Sequence, residues 1–495
     1  MTAVATPGAA SPTELGSGVG VPADTDGSVE PRTGSGQLRS WTRAAPAVDA
    51  ISLFAAAREE DLEAALWLQP SAGFALVGVG RAWSVEPAGP DRFARAAEAW
   101  RTRLLGAAIA DPPGSPRGVG PILLGGLGFT GAAPALEDRW GPFGAASMVL
   151  PALTYAQADG TTFVTIAETQ PDAGQAVDRR VPDPRDAERR WDALLARAAA
   201  LSPGARAVVA RPADAPLAVL GERPDRLTWE RLVGLFAGAV GRGRLDKVVL
   251  ARRVELRSSV EIDLENALRR LAAGAPEGTI FAFVRGGRTF LGATPERLVR
   301  TSGRDFETVA IAGSAPRGAT AAEDAALAAA LVASEKEREE HAVVVEMLRG
   351  SLAPLAETLE VGATPGILPL RDVQHLVTPV RGRLHDRAGL LGLAERLHPT
   401  PAVGGEPREP ALEMIAEHEG IERGWYAGPI GWLGADGDGD LMVALRCGIV
   451  DGRDAALFAG CGIVADSDPS REWDESRMKL RPVASALGRE PEPPE

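Results

Sequence analysis

Hydrophobic and polar positions alternate in short bursts along most of the chain. Runs such as FALVGVG, PILLGGLGF, AASMVLPALTYA and TFVTIAE read as strands, while DRFARAAEAWRTRLLGA and RDAERRWDALLARAAAL carry the wider spacing of helices. Strands outnumber helices between Trp41 and about residue 200, with no regular strand–helix–strand alternation. That pattern predicts a mixed α+β layered fold rather than a doubly wound sheet. A proline- and glycine-rich stretch, 202–225, predicts a crossover between two halves. The second half opens on the helix WERLVGLFAGAVGRG and the strand DKVVLARRVEL. A hairpin over TIFAFVRGGRTFLGATPERLV follows, then TVAIAGSAPRG and a long helix opening at SEKEREEH. The strand-like runs VQHLVTPVRGRL, GWYAGPIGWLG, DLMVALRCGIV and AALFAGCGIV come next, and a last helix, EWDESRMKL, closes the chain.

Composition narrows the function. The 495 residues carry a formal net charge of −14 and no basic tract, which argues against nucleic acid or an anionic membrane as partner. No apolar run approaches the ~18 residues of a membrane span, and the start of the chain lacks a signal-peptide pattern; a cytoplasmic protein is expected. Residues 1–40 and the tail 489–495 are poor in large apolar residues and are expected to be disordered. The intervening chain divides into 41–224 and 225–488. Cys447 and Cys461 sit in apolar runs and read as small buried hydrophobes.

Two acidic pairs recur at helical spacing: Glu337 and Glu340, and Glu472 and Glu475. Each pair shares one helix face, so two helices together could supply oxygen ligands to one hard cation such as Mg2+. The plainer alternative is two solvated faces with local pairing, Glu475 to Lys479 and Glu337 to His341. Asp436, Asp438 and Asp440 imitate a calcium loop, but Leu441 and Cys447 stand where that loop needs Gly and Glu, so a hairpin tip is expected.

Single residues stand out against their surroundings. Lys247 interrupts an apolar strand; it is either an edge or snorkelling lysine, or a desolvated general base. Glu296 ends the GATPE turn, either as an exposed turn residue or as an acid with a raised pKa. Arg446, read as lying mid-strand, needs a carboxylate from the protein or from a ligand. Gly460 and Gly462 would let a ligand approach the backbone. His375 fits a pocket or a core equally well.

Taken together, the blocks DKVVLAR, FLGATPERL, IAGSAPRG, SEKEREEH, VQHLVTPVRG, LHPTPAVGGEPR, GWYAGPIGW, ALRCGIV, FAGCGIV and EWDESRMKL resemble, in order and spacing, the chorismate-utilising enzymes, and within them the isochorismate synthase branch. The resemblance is strongest over about 225–488. It implies two large, mainly antiparallel sheets packed face to face with helices outside. It implies that Lys247 activates water for attack at C2 of chorismate and that Glu296 protonates the departing C4 hydroxyl. Glu337, Glu340, Glu472 and Glu475 would hold Mg2+, with Glu340 and Glu475 as direct ligands. Arg446 would clamp the pyruvyl carboxylate with Tyr426 and the backbone around Gly460 and Gly462; Lys479 would approach the other carboxylate. Gly313, Ser314 and His375 would line the pocket. Ala402 stands where pyruvate-eliminating relatives typically carry threonine, which with Lys247 points to isochorismate as released product. A monomer with no glutaminase subunit is implied.

Overall fold

The computed structural model describes residues 37–169, 184–201, 215–369, 373–385 and 388–488. The segment 1–36 and the tail 489–495 lie outside the described residues. The strand Leu38–Ala44 takes in the end of the stretch expected to be disordered. It pairs with Thr161–Thr169 along its whole length, which explains why a segment so weakly apolar is ordered.

The strands form two sheets, of thirteen and ten strands. Every pairing is antiparallel among the described residues except that of Leu38–Ala44 with Ala108–Ala110. Both halves of the chain contribute to each sheet. In the larger one Leu217–Arg223, Lys247–Ser258, Asp454–Ile463, Cys447–Asp451, Arg288–Thr294, Thr279–Arg285 and Ala64–Gln69 lie side by side. In the smaller one the run is Val373–Leu384, Asp305–Pro316, Arg297–Ser302, Gly439–Val443, Pro429–Gly434 and Ile122–Leu127.

The near-continuous apolar strands have a physical cause: the larger sheet is covered on both faces. Phe281 and Phe283 point into a core shared with the smaller sheet, which includes Leu124, Trp425 and Trp432. Their neighbours Ile280 and Ala282 face a second core under outer helices, with Phe54, Leu268 and Leu271. The ring of Phe74 meets that of Trp432 at 5.8 Å across the inner interface. Each such side chain taken fully out of water contributes about 1.5–3 kcal/mol, in the inner core and the outer one alike.

Three sequence expectations change in detail. Residues 202–214 lie outside the described residues, but 217–223 of the expected crossover is an edge strand of the larger sheet. The predicted hairpin ends at Thr294, because the next strand, Arg297–Ser302, belongs to the other sheet. The SEKEREEH helix is preceded by a separate helix, Ala321–Ala333, and Ser334 between them caps the second by accepting from the Glu337 amide. Asp436 and Asp438 lie at a hairpin tip, as expected, but Asp440 is buried in the following strand Gly439–Val443 and pairs with Arg297.

Candidate active site

The chain crosses from the larger sheet to the smaller between Thr294 and Arg297, and returns between Val443 and Cys447. Glu296 lies in the first crossing and Arg446 in the second. Arg446 is therefore not mid-strand, as its apolar flanks suggested; it has a left-handed φ of +47° in the link between sheets. That conformation costs an arginine about 1–2 kcal/mol. The two crossings are bonded to each other. The Ala293 amide donates to the Arg446 carbonyl at 3.1 Å, and the Val443 amide to the Glu296 carbonyl at 2.9 Å. The Thr294 hydroxyl donates to the Val443 carbonyl at 2.5 Å.

Electrostatics tie four side chains to this point. Burial pushes the Glu296 carboxyl above the usual range, while the positive charges of Lys247, Arg446 and Lys479 pull it back. Burial lowers the Arg446 guanidinium, and Tyr426, Glu296, Cys461 and Glu475 are near enough to counter that. Among the described residues, the Lys247 amine, the Glu296 carboxyl and the Arg446 guanidinium have no hydrogen-bond or ion-pair partner. Groups of opposite charge that converge without a direct hydrogen bond leave polar atoms for a ligand to satisfy.

Lys247 opens the strand Lys247–Ser258 and is half-buried. A Cβ at Gly462 would stand 2.3 Å from its Cε and 3.0 Å from its Nζ, and one at Gly460 would stand 2.9 Å from the Tyr426 hydroxyl. The space these glycines leave is thus used by the chain's own lysine and tyrosine. The Tyr426 ring stacks on Phe458 at 5.4 Å, and burial pushes its hydroxyl up. Lys479 reaches the Gly460 carbonyl at 2.9 Å and also pairs with Glu475 at 2.5 Å. The local pairing foreseen for that helix is therefore present within the site itself.

The two carboxylate pairs are placed differently. Glu472 and Glu475 lie on the helix Pro469–Leu487, capped by Asp468. Ligand atoms of Cys461, Glu472 and Glu475 fall within 4.8 Å of one another. Burial raises the Glu472 carboxyl, and the charge of Glu475 raises it further against a hydrogen bond from Ser467. Like charges compressed in this way fit a hard divalent cation bound by two carboxylates plus water. The buried Cys461 thiol donates to the Glu472 carbonyl at 3.3 Å, and burial pushes it up, so it stays neutral. Glu337 and Glu340 do not join that group. Glu337 accepts from the Ser314 amide at 3.1 Å, and Glu340 is exposed.

Around Glu337 the pocket residues do meet. Gly313 sits at a register shift with φ +75°, and the next residue, Ser314, bonds His375 Nδ1 through its hydroxyl at 2.8 Å. His341 does not pair with Glu337; its Nε2 bonds the Thr378 hydroxyl at 2.7 Å and its Nδ1 the Ala312 carbonyl. Cys461 is the neighbour that sequence reasoning missed. Its strand meets the last helix only in the folded sheet, and no spacing in the sequence announces that contact.

Two sheets whose paired crossings carry an acid and a guanidinium, beside a lysine and an acidic helix, define an enzyme for small anionic substrates. The chain matches the family described as chorismate binding enzyme over residues 28–488, and it belongs to that family. It is 37% identical over 445 residues to the salicylate biosynthesis isochorismate synthase of Pseudomonas aeruginosa, covering 89% of this chain and 88% of that enzyme. It is 32% identical over 460 residues to isochorismate synthase MenF of Bacillus subtilis, covering 92% and 94%. Among solved structures, MenF, the menaquinone-specific isochorismate synthase from Escherichia coli, superposes with a TM-score of 0.72 at 25% identity, covering 92% of this chain and 95% of that one.

Proposed function

We propose that the chain isomerises chorismate to isochorismate, feeding menaquinone or siderophore synthesis. The observation that carries this reading is the convergence of Lys247, Arg446 and Lys479 on the raised carboxyl of Glu296. Lys247 takes a proton from water while the oxygen bonds to ring carbon C2. The ring double bonds shift, the C4–O bond breaks, and Glu296 delivers the proton with which the hydroxyl leaves as water. Water enters once and leaves once, so the reaction is an isomerisation that requires no redox partner.

Arg446 binds the pyruvyl carboxylate, with Tyr426 and the backbone of Gly460 and Gly462 beside it; Lys479 approaches the other carboxylate. Gly313, Ser314 and His375 line the ring side. Glu472 and Glu475 would hold Mg2+, with Glu337 and Glu340 closing the set from the opposite helix. Mg2+ held there would supply positive charge to neutralise the substrate's ring carboxylate. The protein works as a cytoplasmic monomer without a glutaminase subunit. No helix among the described residues is long and apolar enough to cross a membrane.

Purified protein supplied with chorismate and Mg2+ is expected to accumulate isochorismate without pyruvate. Release of pyruvate with salicylate would mark a lyase instead, and an absence of turnover would mark a silent binding subunit.

A further inference from the structure

The KVVLAR block ends on Arg252, five residues after Lys247 on the same strand. Its side chain is 1% exposed. The guanidinium lies 3.6 Å from the centre of the Trp473 ring. One nitrogen donates to the Ser476 hydroxyl at 3.3 Å and another to Glu222 at 2.7 Å. The Ser476 hydroxyl in turn donates to the Trp473 carbonyl at 2.6 Å. Trp473 also meets Trp229, edge to face at 6.1 Å.

A buried guanidinium is a poor choice for stability alone. Apolar residues of similar volume do as well or better, and here the Nε has no partner among the described residues. What a planar, hydrogen-bonded group supplies and an apolar one does not is a fixed angle. Trp473 and Ser476 are three apart, so Arg252 grips one face of the helix at two points a turn apart. Glu472 and Glu475 each precede a gripped residue by one position.

We infer that Arg252 is a positioning residue: it fixes the roll of the helix Pro469–Leu487 and so the direction in which Glu472 and Glu475 present their carboxylates. This rests on the reading of those two residues as the cation-holding pair. The magnitude is sufficient. A carboxylate about 6 Å from the helix axis moves roughly 3 Å when the helix rolls by about 30°, more than a metal–oxygen bond tolerates. Because the same strand begins with Lys247, the grip also references the cation pair to the residue that activates water.

The test uses the full chain free of substrate. Arg252→Met is expected to weaken Mg2+ binding, measured by calorimetry, by about tenfold or more, while saturating Mg2+ restores kcat to within about threefold of wild type. Arg252→Lys, which keeps the charge toward Glu222 but not the planar stack, is expected to fall between the two. A purely structural role would lower the melting temperature of Arg252→Met and leave its Mg2+ affinity at the wild-type value; that result overturns the inference. Should Arg252→Met not fold, Ser476→Ala removes one grip point at little cost. An affinity about threefold weaker supports the inference, and an unchanged one overturns it. Wild-type protein that binds no Mg2+ overturns the reading of the acidic pair itself, an outcome distinct from variants that bind as wild type does.

Discussion

The helices Pro469–Leu487 and Glu335–Leu352 each carry two glutamates three residues apart, and the fold treats them differently. The first lies on the larger sheet, held by the Arg252–Trp473 stack, and its carboxylates gather beside Cys461. The second lies against the smaller sheet, held by His341 to Thr378; one of its carboxylates is taken by the Ser314 amide and the other is exposed. Identical spacing therefore does not make identical ligands. Both anchors, Arg252 and His341, are buried, so the two pairs differ in what their carboxylates meet: Cys461 and each other in one helix, a backbone amide and open surface in the other.

The largest effect expected lies between the helices. Lys247→Ala or Glu296→Gln should each lower kcat by about 10²–10⁴-fold, while circular dichroism and Mg2+ calorimetry stay close to wild type. Full activity of Glu296→Gln would separate the first crossing from the chemistry, and full activity of Lys247→Ala would do the same for the start of the strand Lys247–Ser258.

Next comes the contrast itself. Glu475→Gln should weaken Mg2+ binding to the substrate-free protein by about 10–100-fold, a range seen for residues that hold or orient a metal. Glu340→Gln should leave that affinity unchanged and raise the Mg2+ requirement only when chorismate is present. Equal losses without substrate would erase the difference between the helices.

A pH experiment addresses the support under the second helix. His398 caps the helix Leu390–Leu397, which packs against Glu335–Leu352, and its Nε2 bonds the Phe129 carbonyl at 3.0 Å. Burial lowers this imidazole from 6.5 to about 3. The unfolded chain therefore binds a proton below pH 6.5 that the folded one refuses, so stability is complete above 6.5 and is lost progressively towards pH 3. At pH 5 the loss is about 2 kcal/mol, and His398→Gln should flatten the denaturant midpoint between pH 6.5 and 5. An unaltered acid slope in that variant would assign the slope to other groups.

The smallest effect tests the caps. Ser334→Ala and Asp468→Ala should each cost about 1 kcal/mol in chemical denaturation. Only Asp468→Ala should also weaken Mg2+ binding, because only its helix carries an assembled pair.

Much of this was legible in the chain. The alternation of short apolar runs and the ten ordered blocks pointed to the two-sheet fold and to Lys247, Glu296 and Arg446. What escaped were features set by where the chain changes sheets. ALRCGIV reads as one strand because both sides of it are apolar, yet Arg446 stands in a break that only the register of Gly439–Val443 and Cys447–Asp451 defines. Cys461 looked like filling because a strand residue's helix neighbour cannot be read from strand spacing. The glutamate pairs were visible as pairs, but what each carboxylate meets is set by the fold, and Arg252 reads as one more residue of a motif.

The bonds joining the two inter-sheet crossings have a consequence for how such a protein can change. Acid and clamp sit on main chain stitched to main chain, so their separation is insulated from repacking of the surrounding apolar side chains. A substitution among the apolar side chains around the crossings should therefore change packing before it changes the distance between Glu296 and Arg446.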